Sequence, residues 1–240
     1  MKNDEVRQAS ALIEKTSPAE QRLAVGLDTT NLDVCYVSVT YVDGETVTVS
    51  YAGLPGNQPA TYKNFIAIWE NSVIPWTVPP LALVPITTNA EQGSVTIEGL
   101  TITRNAYIVG YAVGPDITNI CCSSLISAGG YLAAPTQVSI SLNYVGVNSL
   151  SIHYQTLAGY LPQQYNNWVG LWKGYASPYN ASTPLAMATI NSDSSEGTVN
   201  MVNVPLETNT NYTLIYFMGK ERTMAAAILN FNTSEFLTGI

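Results

Sequence analysis

The chain has 240 residues, 46% of them apolar and only 11% charged, with a formal net charge of -8. Its polarity comes from Ser, Thr, Asn and Gly rather than Glu, Lys and Arg, which suits many short strands joined by polar turns and argues against a helical bundle. Residues 1–26 hold four charges of each sign, so the remainder carries the whole excess with five cations, Lys63, Arg104, Lys173, Lys220 and Arg222; such a surface excludes nucleic acid and strongly anionic membranes as partners.

At the N-terminus, Val6, Ala9, Leu12 and Ile13 recur at helical spacing. Ser17, Pro18 and Glu20 follow in the order of a helix start. A short charged helical arm is predicted, ending before turn-like residues 26–33. The opening residues have no apolar stretch of signal-peptide length, and no apolar run reaches the length of a membrane span. A cytoplasmic chain, or one released by a non-classical route, is the expectation.

From residue 34 the apolar pattern has period two, and the chain repeats itself. A shift of 103 lays Tyr41–Trp69 on Tyr144–Trp172 without a gap, matching Tyr51 with Tyr154, Asn64 with Asn167 and Trp69 with Trp172. Shifts of 104 to 105 align 93–114 with 197–219. In the first copy strands are predicted at 35–42, 45–52, 63–70, 80–86, 93–99, 106–114 and 119–126, with Asp43-Gly44 as a hairpin turn. About seven strands in a hundred residues is the count of an immunoglobulin-like sandwich. The predicted fold is therefore all-β: two tandem immunoglobulin-like antiparallel β-sandwiches with a short N-terminal helical arm. The arm takes residues 1–33, the first sandwich 34–127, a Gly- and Ala-rich linker 128–136, and the second sandwich 137–240.

Two segments of the second copy carry a resemblance. NNWVGLWKG at 166–174 resembles the central strand of SKICH-type and related fibronectin-type-III-like modules, and VPLETNTNYTLIYFMG at 204–219 is similar to the corner of the same modules. The first copy departs from the pattern, with Phe65 for Trp and Ala67 for Gly. The resemblance implies an immunoglobulin-like fold over most of residues 34–232 and a targeting or protein-binding role.

Cys35, Cys121 and Cys122 form no CxxC pair, so no disulfide framework is indicated. Strand alternation would place Cys121 and Cys122 on opposite faces. His153 is the single histidine and aligns with Ser50, so it reads as a half-buried strand residue. No catalytic residues, metal site or cofactor are expected. Glu70, Glu98, Asp193, Glu196 and Glu207 show no spacing that selects a catalytic pair. The turn NSDSSEG at 191–197 lacks the ordered ligand spacing of a calcium loop.

Tyr107 and Tyr212 read as corner tyrosines that bond back to the chain. Tyr160, Tyr165, Tyr175 and Tyr179 lie among Gly, Pro, Gln and Asn, the mixture that recognition loops use. Residues 158–166 and 173–184 would form one binding face, with Trp172 and Lys173 at its edge. Lys63, Trp76 and residues 55–62 would form its counterpart in the first copy. The leading expectation is a non-enzymatic protein that binds a protein partner or self-assembles as a homo-oligomer, through loop aromatics, strand edges and the arm. The alternatives are a lectin-like module stacking carbohydrate on Trp172, Trp76 or the loop tyrosines, and a carboxylate hydrolase.

Overall fold

A computed structural model of the protein describes residues 31–236; the predicted helical segments of the arm lie outside that range. Among the described residues, sixteen strands form four antiparallel sheets, and the helical elements are three single 3-10 turns.

In the first copy β2 (Tyr36–Val42), β3 (Val47–Ala52) and β6 (Gln92–Ile97) form a three-stranded sheet. It packs on a five-stranded sheet ordered β5 (Ala82–Pro85), β4 (Phe65–Trp69), β7 (Tyr107–Ala112), β8 (Ile120–Ile126) and β9 (Thr136–Gln137). The second copy repeats the plan. Its three-stranded sheet runs β10 (Ser139–Gly146), β11 (Ser149–Gln155), β14 (Glu196–Val202). Its five-stranded sheet is ordered β1 (Asn31–Val34), β16 (Ala225–Asn232), β15 (Asn211–Phe217), β12 (Trp168–Lys173) and β13 (Ala186–Thr189). The strands predicted in the first copy recur within about two residues of their expected ends.

The sheet orders contain an exchange. β1 precedes the first copy in the chain but pairs with β16 of the second, Asp33 opposite Ile228 and Val34 opposite Ala227. β9 precedes the second copy but pairs with β8 of the first, Thr136 opposite Ser123 and Gln137 opposite Cys122. The two pairings are equivalent, because β9 stands 103 residues after Asp33-Val34 in the chain. Each copy thus gives its leading strand to the other. Residues 31–33, expected as a turn, are strand because pairing with β16, two hundred residues away, completes them. The segment expected as a linker likewise ends in β9.

A bulge in each last strand receives the crossing chain. Between Tyr111 and Ala112 the register steps so that Cys121 is an extra residue in β8; between Tyr216 and Phe217 Ala226 is its counterpart in β16. The Cys121 carbonyl accepts the Val138 N–H at 2.8 Å, and the Ala226 carbonyl accepts the Cys35 N–H at 3.2 Å. The bulge also corrects the expected placing of Cys121 and Cys122. A residue inserted into a strand breaks strict alternation, and both free thiols are buried in one apolar cluster while Ile120 before them joins another.

Tyr107 and Tyr212 are corner tyrosines. The Tyr107 hydroxyl accepts the Thr103 N–H at 3.0 Å, and that of Tyr212 accepts the Glu207 N–H at 3.0 Å. The hairpin between β2 and β3 turns one residue later than predicted: Asp43 donates its N–H to Thr46, with its carboxylate accepting the N–H groups of Glu45 and Thr46.

Candidate functional site

The two faces expected to recognise a partner face each other. Tyr179 of the second copy stacks on Tyr62 of the first at 5.4 Å, and Trp76 of the first meets Tyr160 of the second edge-on at 4.8 Å. Trp76 and Tyr179 are 103 residues apart, as are Gly56 and Gly159. Each aromatic lies over the other copy's glycine: a Cβ on Gly56 would stand 3.2 Å from the Tyr179 ring, and one on Gly159 3.6 Å from the Trp76 indole. Both glycines have positive φ, 86° and 70°, which L side chains avoid. The Trp76 indole N–H also donates to the Ala158 carbonyl at 3.0 Å.

A buried polar triad sits beneath each half of this junction. In the second copy Asn167 donates to the Tyr160 hydroxyl at 3.0 Å and accepts from Tyr216 at 2.8 Å, while Tyr160 donates across the junction to the Thr118 carbonyl at 2.8 Å. In the first copy Asn57, Asn64 and Tyr111 occupy the same places, with Asn57 donating to both partners at 2.9 Å. Burial pushes the Tyr160, Tyr179, Tyr111 and Tyr216 hydroxyls above the ordinary phenol range; Tyr160, Tyr111 and Tyr216 serve as neutral donors, to the Thr118 carbonyl, Asn64 and Asn167.

The predicted site residues therefore separate. Tyr160 is 0% exposed and belongs to the junction, together with Tyr179, Trp76 and half-buried Tyr165, whose ring lies 5.1 Å from that of Tyr160. Trp172 is also interior, at 3% exposure: its indole donates to the Ser182 carbonyl at 2.8 Å and the Arg222 guanidinium lies over the ring. Protein thus covers the Tyr160 and Trp172 rings, while Trp76, Tyr165 and Tyr179 are half-buried. Lys173 stays exposed but is paired with Glu207, which holds the ammonium above its ordinary value by hydrogen bonding. Tyr175 remains on the surface at 77% exposure.

The carboxylates are dispersed. Glu70 accepts from Asn105, and Asp193 accepts the Gln164 N–H at 2.9 Å. Among the described residues no three His, Cys, Asp or Glu side chains form a group that could hold a metal ion. His153 is a half-buried residue of β11, between Ser141 and Thr198 on the neighbouring strands.

No family model matches the chain. No curated sequence matches it either. Solved structures resemble it only distantly: a biofilm-associated protein BSP domain at 13% identity and TM-score 0.23, over 77% of this chain and 26% of that one; trypsin-activated alpha-2-macroglobulin of Escherichia coli at 12% and 0.29, over 84% and 17%; and the two tandem V-type regions of a v-region-containing chitin binding protein at 11% and 0.27, over 82% and 98%. The chain thus spans about a quarter and a sixth of the first two.

With the aromatic faces turned inward, the outer strands of the sheets present open backbone, and in the five-stranded sheets these are β1, β13, β5 and β9. Sheet edges are templates for pairing unless guarded. β1 carries Asp33, β9 is two residues long, and β5 ends in Pro85, opposite Phe65. At the equivalent place in β13 stands Thr189, opposite Trp168.

Ile190 donates its N–H to Asn167, as Ile86 does to Asn64, so by alternation the N–H groups of Met187 and Thr189 point away from β12, where Pro85 has none to offer. No Asp, Glu, Lys or Arg occurs from 174 to 192, and Leu185 and Met187 are 49% and 59% exposed. Between β13 and β14 a groove of about 480 Å³ opens, lined by Tyr154, Met187, Ile190, Thr198 and Asn200 among others. Sequence reasoning missed this edge, because Pro85 and Thr189 fall between the two aligned stretches, 41–69 and 93–114, and only the strand pairing shows them to be equivalent.

Proposed function

We propose that the protein is a non-enzymatic binding and assembly protein, built from two immunoglobulin-like modules of the SKICH or fibronectin-type-III kind at 34–127 and 137–240, and that β13 is its contact strand. The observation that carries this reading is that β13 alone among the outer strands of the two five-stranded sheets has neither charge, proline nor extreme shortness to guard it. An extended segment laid along β13 gains main-chain hydrogen bonds from Met187 and Thr189 and apolar contact with Leu185 and Met187. Tyr175 is the one loop tyrosine of the expected set that stays well exposed, and it can add to such a contact.

A capped peptide of residues 183–191, labelled at one end and titrated into the full chain, tests the edge directly. Thr189→Pro should weaken its binding at least about tenfold, since the ring removes a donor and crowds the incoming strand. Leu83→Lys on β5 should leave binding unchanged. Equal binding to the native chain and to Thr189→Pro would show that β13 is not the contact. The fold accommodates Thr189→Pro because the first copy already carries proline at the matching position.

A further inference from the structure

The reading of β13 as a contact strand leaves open what lies along it. We propose that its partner is β13 of a second copy of this chain, paired antiparallel about a two-fold axis through Met187, so that two five-stranded sheets become one of ten.

The register follows from the backbone. Met187 and Thr189 present their N–H groups outward, and in an antiparallel ladder two residues that face each other across the axis exchange both hydrogen bonds. Centring the axis on Met187 lets the two Met187 residues bond to each other and sets each Thr189 opposite Leu185 of the second copy. The same alternation puts Met187 and Thr189 on one face, opposite half-buried Ala186 and Ala188; exposed Leu185 donates its N–H back to the Leu171 carbonyl at 2.7 Å, so at that rung Thr189 is the donor. Side chains thus meet apolar against apolar in the centre.

Charge selects the same pairing. Two copies of a chain with net charge -8 repel over most approaches, and self-pairing of β1 would bring Asp33 towards its own copy. The stretch 174–192 brings no Asp, Glu, Lys or Arg to the axis. β5 cannot substitute for β13, because Pro85 offers no N–H at the position where Thr189 does. The closed two-fold arrangement also uses the open edge completely, which stops growth at two chains.

Sedimentation equilibrium of the full chain should show mass rising with concentration from 25.8 kDa towards twice that value, and Thr189→Pro should remain at the monomer mass with an unchanged near-ultraviolet spectrum. In Met187→Cys, mild oxidation with diamide should give a covalent dimer, since facing residues of a bonded pair lie about 5.5 Å apart at Cα, within disulfide reach; the native chain, whose thiols are buried, should give none. A native chain that is monomeric at every concentration overturns the second-copy partner, and if the peptide still binds, the edge reading survives it. Association that needs Thr189 but yields no Met187→Cys cross-link overturns the two-fold register. Association unaffected by Thr189→Pro overturns the proposal and the edge reading together.

Discussion

Gly170 lies beneath two indole rings, and its missing side chain is what lets them close over β12. An added Cβ would stand 2.5 Å from Cη2 of Trp172 and 2.9 Å from Cζ3 of Trp168. The first copy carries Ala67 at this place, beside the smaller ring of Phe65. Gly170→Ala should therefore cost about 1–3 kcal/mol by overpacking, measured as a lower urea midpoint with unchanged slope.

The buried phenols add a pH dependence. Burial raises Tyr111, Tyr160, Tyr179 and Tyr216 above the ordinary value of 10.0. An acid raised in the folded state contributes stability that is complete below its unfolded value and is lost as pH climbs. The melting temperature should hold steady up to about pH 9 and fall as pH passes 10, with Tyr160→Phe reducing the slope. A fall that begins below pH 8 would contradict this.

Among the elements, those that depend on local pattern were legible and those that depend on distant partners were not. The strands from β2 to β8 follow from alternation, and the corner tyrosines from their place before the next strand. The exchange of β1 and β9 was hidden, because Asn-Leu-Asp-Val and Thr-Gln carry no mark of which sheet they join. The adjacent cysteines misled because alternation fails at a bulge.

The loop tyrosines carry a signal with two readings: a surface that binds a partner and one that binds the other half of its own chain need the same rigid aromatics and small neighbours. A second signal was present. Gly56 with Gly159, and Trp76 with Tyr179, keep a 103-residue spacing through loops that otherwise diverge, which fits a pair of contacts made reciprocally.

Across the whole molecule, one apolar cluster runs from Cys35 to Phe231 and draws buried residues from both copies. Neither copy contains all of its own sheet. Asn119 donates across the junction to the Met218 carbonyl at 3.2 Å, near the place where the copies are related. A single cooperative unfolding transition is expected, with calorimetric and van't Hoff enthalpies equal. Two separable transitions would mean that the copies fold as independent units despite the exchange.

The exchange also decides how the molecule would bear a load. Because β1 runs antiparallel to β16, with Asn31 opposite Asn230, both ends of the described chain leave from the same corner. Tension applied through residues 31 and 236 would open that ladder like a zipper, one rung at a time, rather than shearing all its bonds at once. Each rung lost would strip the second sandwich of an outer strand while the first stayed closed. Under pull, the half that bears the open edge is the half that yields.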